Sequence, residues 1–178
     1  MIDNNISKLK GFMPKHEGTA LTKWSEEFSS IGPIMEIGSY CGKSAMYLSK
    51  GAILNDQLVY TIDHHFGSEE HQINEEYFDN EIFDHKKQRV NTLPLLIKNI
   101  NKMQVENIVP IISNSVVIAS NWNTELGMVF IDGGHSFKAA NDDYESWNIK
   151  IKQNGALVIH DIFENPNEGG QAPVSYTH

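Results

Sequence analysis

Short apolar runs alternate along this chain with longer stretches in which apolar residues recur every three or four positions. Five runs read as buried strands: PIMEI (residues 33–37), LVYTID (58–63), IVPIIS (108–113), GMVFID (127–132) and GALVIHDI (155–162). Between them, KSAMYLSKGA continues the first strand into a helix. Leu93, Leu96, Ile97, Ile100 and Met103 share one helical face, with Asn91 or Thr92 as the cap and Pro94 in the first turn. Ser115 is expected to cap a short helix reaching about Trp122, and Phe137, Ala140, Tyr144 and Trp147 mark another. Leu21, Trp24 and Phe28 place an N-terminal helix over 19–30. Strands alternating with helices predict an α/β fold: a doubly wound, mostly parallel sheet with helices on both faces.

Ligands of such sheets bind beyond the carboxyl ends of the strands. All five predicted strand ends are polar here: Glu36, Asp63, Asn114, Asp132 and the pair His160–Asp161. With 178 residues the chain suits one domain, 1–178, and its 40% hydrophobic content is enough for a core. The net charge of −9, with Lys and Arg few and dispersed, argues against a nucleic-acid partner. No apolar run approaches the length of a membrane span, and the N-terminus lacks the apolar region of a secretory signal. A single cysteine, Cys41, excludes an internal disulfide and fits a cytoplasmic location.

The loop after the first strand, MEIGSYCGKS, ends like a phosphate-binding P-loop. That motif needs four residues between its glycines, and only Ser39, Tyr40 and Cys41 separate Gly38 from Gly42. A dinucleotide loop needs a glycine where Tyr40 stands. What remains is Glu36-x-Gly38-x-x-x-Gly42, in which Gly38 allows a tight turn and close approach of a ligand.

This pattern closely resembles the first motif of class I S-adenosylmethionine-dependent methyltransferases. YTIDHH resembles their second motif, and FIDGGHSFKAANDDYESW and GALVIHDIF resemble segments of small bacterial members related to sugar and macrolide O-methyltransferases. The resemblance covers most of residues 17–173. It implies a Rossmann-like fold, S-adenosylmethionine as cofactor, and O-methylation of a small-molecule acceptor. It also implies a cofactor site: Glu36, Gly38, Ser39 and Gly42 in the loop, Asp63 and His64 after the second strand, Asn114 and Ser115 near the adenine, and Asp132 close to the donated methyl group. Asp63 would take the ribose hydroxyls.

Methyl transfer to a hydroxyl requires alignment and a group, base or divalent metal, that deals with the hydroxyl proton. Asp132, His135 and His160 are the catalytic candidates. Asp132, His160 and Asp161 form a candidate site for Mg²⁺ or Mn²⁺, with His160 standing where several relatives carry an acid. Two other readings compete: a cofactor-binding module without turnover, and a metal-dependent hydrolase built on Asp132, His135, His160 and Asp161. The polar insert 64–90 holds His64, His65, His71 and His85 in no standard zinc spacing, and its aromatics suggest a lid. Cys41 reads as a small filler and Lys43 as solvent-facing. Nothing after Ile162 reads as the family's C-terminal antiparallel strand pair, so a truncated end is expected. An open edge there predicts a homo-oligomer.

Overall fold

A computed structural model describes residues 5–75 and 77–162. One helix, α1 (Lys15–Ser29), leads into β1 (Ile34–Ile37) and α2 (Lys43–Ala52). Then come β2 (Val59–Asp63), a small hairpin of β3 (Phe83–Asp84) and β4 (Arg89–Val90), and α3 (Leu93–Met103). The chain continues through β5 (Ile108–Ile112), α4 (Ser115–Ala119), β6 (Leu126–Ile131), α5 (Phe137–Trp147) and β7 (Ile151–Ile159). The main sheet has the order β5-β2-β1-β6-β7, and every pairing in it is parallel. β1 lies at the centre, so the order reverses between β1 and β6, and the crevice beyond their carboxyl ends is where a ligand fits.

The pleat divides the core. Ile34, Val59, Ile108, Met128 and Phe130 face α1, α2 and α3, together with Leu21, Met46 and Leu48. Met35, Ile37, Ile62, Val129 and Ile131 face the other way, onto Ala119 of α4 and Trp147 of α5. Helices therefore cover both faces, as the alternating pattern predicts. α1 lies close on α2, where Thr22 and Ser25 donate to the carbonyls of Tyr47 and Leu48 at 3.0 and 2.6 Å. Pro110 sits in the edge strand β5, where a missing N–H is tolerated.

The element boundaries differ from the sequence expectation in instructive places. α1 begins at Lys15, directly after Pro14, rather than at residue 19. In α3, Ile97 is exposed and Asn99 takes an inward place, donating to the Cys41 carbonyl at 2.8 Å. Phe137 is likewise exposed on α5, and Asp143 is buried. β7 starts at Ile151, four residues before Gly155, because a register shift between Leu126 and Met128 extends its pairing with β6. The expected absence of a C-terminal strand pair falls on residues 163–178, outside the described residues. Among the described residues no helix is long and apolar enough to cross a membrane.

Candidate active site

Two adjoining cavities open at the carboxyl ends of β1, β2, β6 and β7. The larger, about 380 Å³, is lined by Gly38, Asp63, His64, Asn114, Ser115 and Asp132 among others. The smaller, about 150 Å³, adds Phe12, Ser39, Lys43, Tyr77 and Asp161. Gly38, Tyr40, Asp132 and His135 line both, so the wall between β1 and β6 is shared. Glu36, Gly42 and His160 line neither.

Gly38 has φ +94°, and a Cβ there would lie 2.0 Å from the Asp132 carbonyl oxygen. Asp132 N–H donates to Ile37 O at 2.8 Å, which draws the two loops together. Gly38 is thus demanded first by the β6 loop. Gly42, also at positive φ, is the N-cap of α2 beneath Leu96 and does not reach the cavity.

Glu36 departs from its expected place at the cofactor loop. The β1 pleat turns it onto the face covered by α1, α2 and α3, where it is fully buried and accepts from the Thr61 hydroxyl, which also hydrogen-bonds Ser39. Burial pushes its carboxyl up to about 8, the Ser44 and Thr61 hydroxyls oppose this only in part, and nearby Asp132 and Asp63 add to the rise. Glu36 is a buried, protonated support beneath the loop. Lys43 does not simply face solvent either: its Nζ donates to the Gly11 carbonyl at 3.2 Å.

Asp63 ends β2 and organises the loops on either side. Its Oδ2 accepts the Tyr40 N–H at 2.8 Å, and its Oδ1 accepts the His65 N–H at 2.7 Å. Each oxygen can accept a further hydrogen bond, and Asp63 lines the larger cavity. His64 is half-exposed beside it, with Nδ1 accepting from the Phe66 N–H at 3.0 Å. At the next strand end the expected roles are exchanged. Asn114, not Ser115, caps α4, accepting from the N–H groups of Val116 and Val117 at 3.0 and 3.3 Å. Ser115 instead donates to Asp143 of α5. Burial pushes the Asp143 carboxyl up to about 6. Asp143 lines the larger cavity and was not anticipated, because nothing in DDY distinguishes an inward acid from a solvated one.

An acid–imidazole cluster closes the β6–β7 end. His160 N–H donates to Ile131 O at 2.9 Å, which brings residues 160 and 161 beside Asp132. His160 Nδ1 lies 3.1 Å from Asp132 Oδ1 and 3.1 Å from Asp161 Oδ2, and its Nε2 is 2.8 Å from Glu17 Oε2. Burial alone would lower its pKa, but the carboxylates of Asp132, Asp161 and Glu17 outweigh this and push it up to about 11. His160 in turn holds the Asp161 carboxyl below the usual range. Without a cation between them these carboxylates favour a proton on each ring nitrogen, and a divalent ion would displace the one on Nδ1. His135 Nε2 is 3.7 Å from Asp161. Donor atoms of Asp132, His160 and Asp161 all lie within 4.8 Å of one another, a fit for a divalent ion. His160 Nδ1 is buried and, despite both close carboxylates, makes no aligned hydrogen bond, so it is available as a ligand atom.

The insert after β2 packs inward. His65 is buried and shares a 2.7 Å hydrogen bond with the Thr92 hydroxyl, so Thr92 occupies the N-cap position of α3 without capping it through its side chain. Tyr40 stacks with His71 at 5.2 Å between centroids, and Phe12 meets Tyr77 edge-on at 5.3 Å. Lys10 pairs with Asp79 and Glu81, joining the N-terminal segment to the insert. His64, His65, His71 and His85 form no metal-binding group among the described residues. Cys41 is fully buried, and burial pushes its thiol up to about 12, as suits a filler.

A family model described as a methyltransferase domain matches residues 35–162. Solved structures share the fold. The O-methyltransferase NovP superposes with a TM-score of 0.60 at 13% identity, covering 83% of this chain and 66% of that one. TomG from Streptomyces achromogenes, an O-methyltransferase of tomaymycin synthesis in complex with SAM, gives 0.57 at 14% identity, with 89% and 60% covered. An O-methyltransferase from Bacillus cereus in complex with SAH gives 0.54 at 13% identity, with 85% and 58% covered. The chain therefore spans between 58% and 66% of the length of these proteins.

Proposed function

The chain belongs to the methyltransferase-domain family, and from that membership we propose that it transfers a methyl group from S-adenosylmethionine to a hydroxyl of a small molecule. The observation that carries this reading is the pair of cavities meeting at Asp132. The larger has the strand-end carboxylate and glycine turn a nucleoside sulfonium needs. The smaller, walled by Phe12, Tyr40 and Tyr77, would take the acceptor. NovP, TomG and the Bacillus cereus protein are O-methyltransferases, and the last two hold SAM or SAH; this supports the same cofactor and acceptor atom here. The family match favours this reading over a hydrolase.

When bound, the cofactor supplies the electrophilic methyl carbon. Asp63 would accept from the ribose hydroxyls with its free lone pairs, while Gly38 lets the methionine portion lie against the backbone. His64, Asn114 and Ser115 would border the nucleoside, and Ser39 the loop between the two cavities. Asp132 lines both chambers and is the carboxylate placed to take the acceptor's proton. His135 lies beside it on the acceptor side. Asp132, His160 and Asp161 would hold a divalent ion, which would lower the hydroxyl's pKa and orient it. Asp132 and Asp161 converge on His160 Nδ1, and such an ion would take the place of a proton there.

The net charge of −9 and the single cysteine support a small-molecule enzyme of the cytoplasm. β7 is an edge of the main sheet among the described residues, which supports a homo-oligomer that covers it. Calorimetry with S-adenosylhomocysteine, followed by labelled methyl transfer to hydroxylated sugars and phenols, tests the function. Binding and transfer are expected. No binding at millimolar concentration ends the methyltransferase reading, and binding without transfer to any acceptor leaves the binding-module reading.

A further inference from the structure

Glu17 stands in the first turn of α1, 143 residues from His160, yet its Oε2 lies 2.8 Å from His160 Nε2. A carboxylate only accepts, so the proton of this bond is on Nε2. The ring is pinned at one nitrogen. Its other nitrogen, Nδ1, is buried and turned into the gap between Asp132 and Asp161, 3.1 Å from an oxygen of each. An acceptor behind the ring and carboxylates in front of it is the arrangement by which proteins orient a metal-ligating imidazole and fix its tautomer.

We infer that Glu17 is a positioning residue for a divalent cation, holding His160 Nδ1 toward the carboxylates of Asp132 and Asp161 and so making a mixed nitrogen–oxygen site that prefers Mn²⁺ to Mg²⁺. The inference rests on the metal reading of this corner within the proposed function, but Glu17 touches neither the acceptor chamber nor the larger cavity. The preference follows from donor type: two carboxylates alone suit Mg²⁺, whereas an imidazole nitrogen adds affinity for first-row transition ions. Mg²⁺ also keeps most of its water and gains little from one nitrogen donor.

Titration of the full chain with Mn²⁺ and with Mg²⁺ by calorimetry, without cofactor, tests this. Mn²⁺ should bind at least about tenfold more tightly than Mg²⁺, and Glu17→Gln, nearly isosteric, should weaken Mn²⁺ about 10- to 100-fold. No Mn²⁺ binding, equal affinity for the two ions, or unchanged Mn²⁺ affinity in Glu17→Gln overturns the inference. Should Glu17→Gln fail to fold, pulsed paramagnetic resonance of the wild-type Mn²⁺ complex decides: a directly bound imidazole nitrogen is expected, and its absence overturns it. Binding of S-adenosylhomocysteine is measured in parallel. If it persists while Mn²⁺ fails, this inference alone falls; if it fails, the methyltransferase reading falls.

Discussion

At the scale of single residues, Glu36 and Asp63 show how similar strand-end acids acquire opposite work. Glu36 is buried and held protonated, its carboxyl raised from 4.5 to about 8. A raised carboxyl contributes stability that is fully present below pH 4.5 and is lost as pH rises through 8. The slope approaches about 1.4 kcal/mol per pH unit between those values. Glu36→Gln keeps the neutral shape without the titration. Urea unfolding at pH 5 and pH 8.5 should show the variant gaining on the wild type by a few kcal/mol at the higher pH; parallel behaviour would remove the proton from Glu36. Asp63, by contrast, lines the larger cavity while holding two loop amides, and each oxygen can accept another bond. Asp63→Ala should weaken S-adenosylhomocysteine binding by about 1.5–3 kcal/mol, the worth of hydrogen bonds to a charged group. Calorimetry that found no change would cancel the ribose assignment.

At the scale of elements, the loops that shape the site are held by contacts between distant segments. Gly38 joins the β1 loop to the β6 loop. Gly38→Ala would place a methyl group 2.0 Å from the Asp132 carbonyl at a positive φ, and a loss of about 3 kcal/mol is expected in urea unfolding. A loss below 1 kcal/mol would show that the two loops can separate freely. Lys10 ties the N-terminal segment to the insert through Asp79 and Glu81. Lys10 and Asp79 are partly buried but still open to solvent, so Lys10→Ala should cost only about 1 kcal/mol of global stability. Local opening is another matter: faster amide exchange in residues 77–82 is expected, and an unchanged rate would mean the aromatic contacts alone hold the insert.

At the scale of the whole molecule, β7 presents an outer edge among the described residues, with Lys152, Gln153 and Asn154 exposed along it. Sedimentation equilibrium is expected to show a dimer, and a monomer throughout the micromolar range would mean the edge needs no second copy. Much of this architecture was legible in the chain alone. The five strands of the main sheet each carry a short apolar run, helical faces repeat at their own period, and parallel strands must be linked by crossovers, so their number, order class and polar ends follow from local pattern, whereas the two-residue strands β3 and β4 carry no such run. The loop after β1 is legible for the same reason: one residue fewer between glycines separates it from a phosphate cradle. Which way each side chain points is a different matter. β1 is buried on both faces, so its pattern cannot tell that Glu36 faces α2 and not the cavity. Asn114 and Ser115 are adjacent polar residues, and only the packing of α5 against α4 gives the cap to one and Asp143 to the other. Glu17 met His160 through no signal in the sequence, because their pairing depends on α1 lying beside the end of β7. Local periodicity decided the elements and placed the chemistry at one end of the sheet; tertiary packing decided which of those polar groups face the ligand, since orientation depends on neighbours far away along the chain.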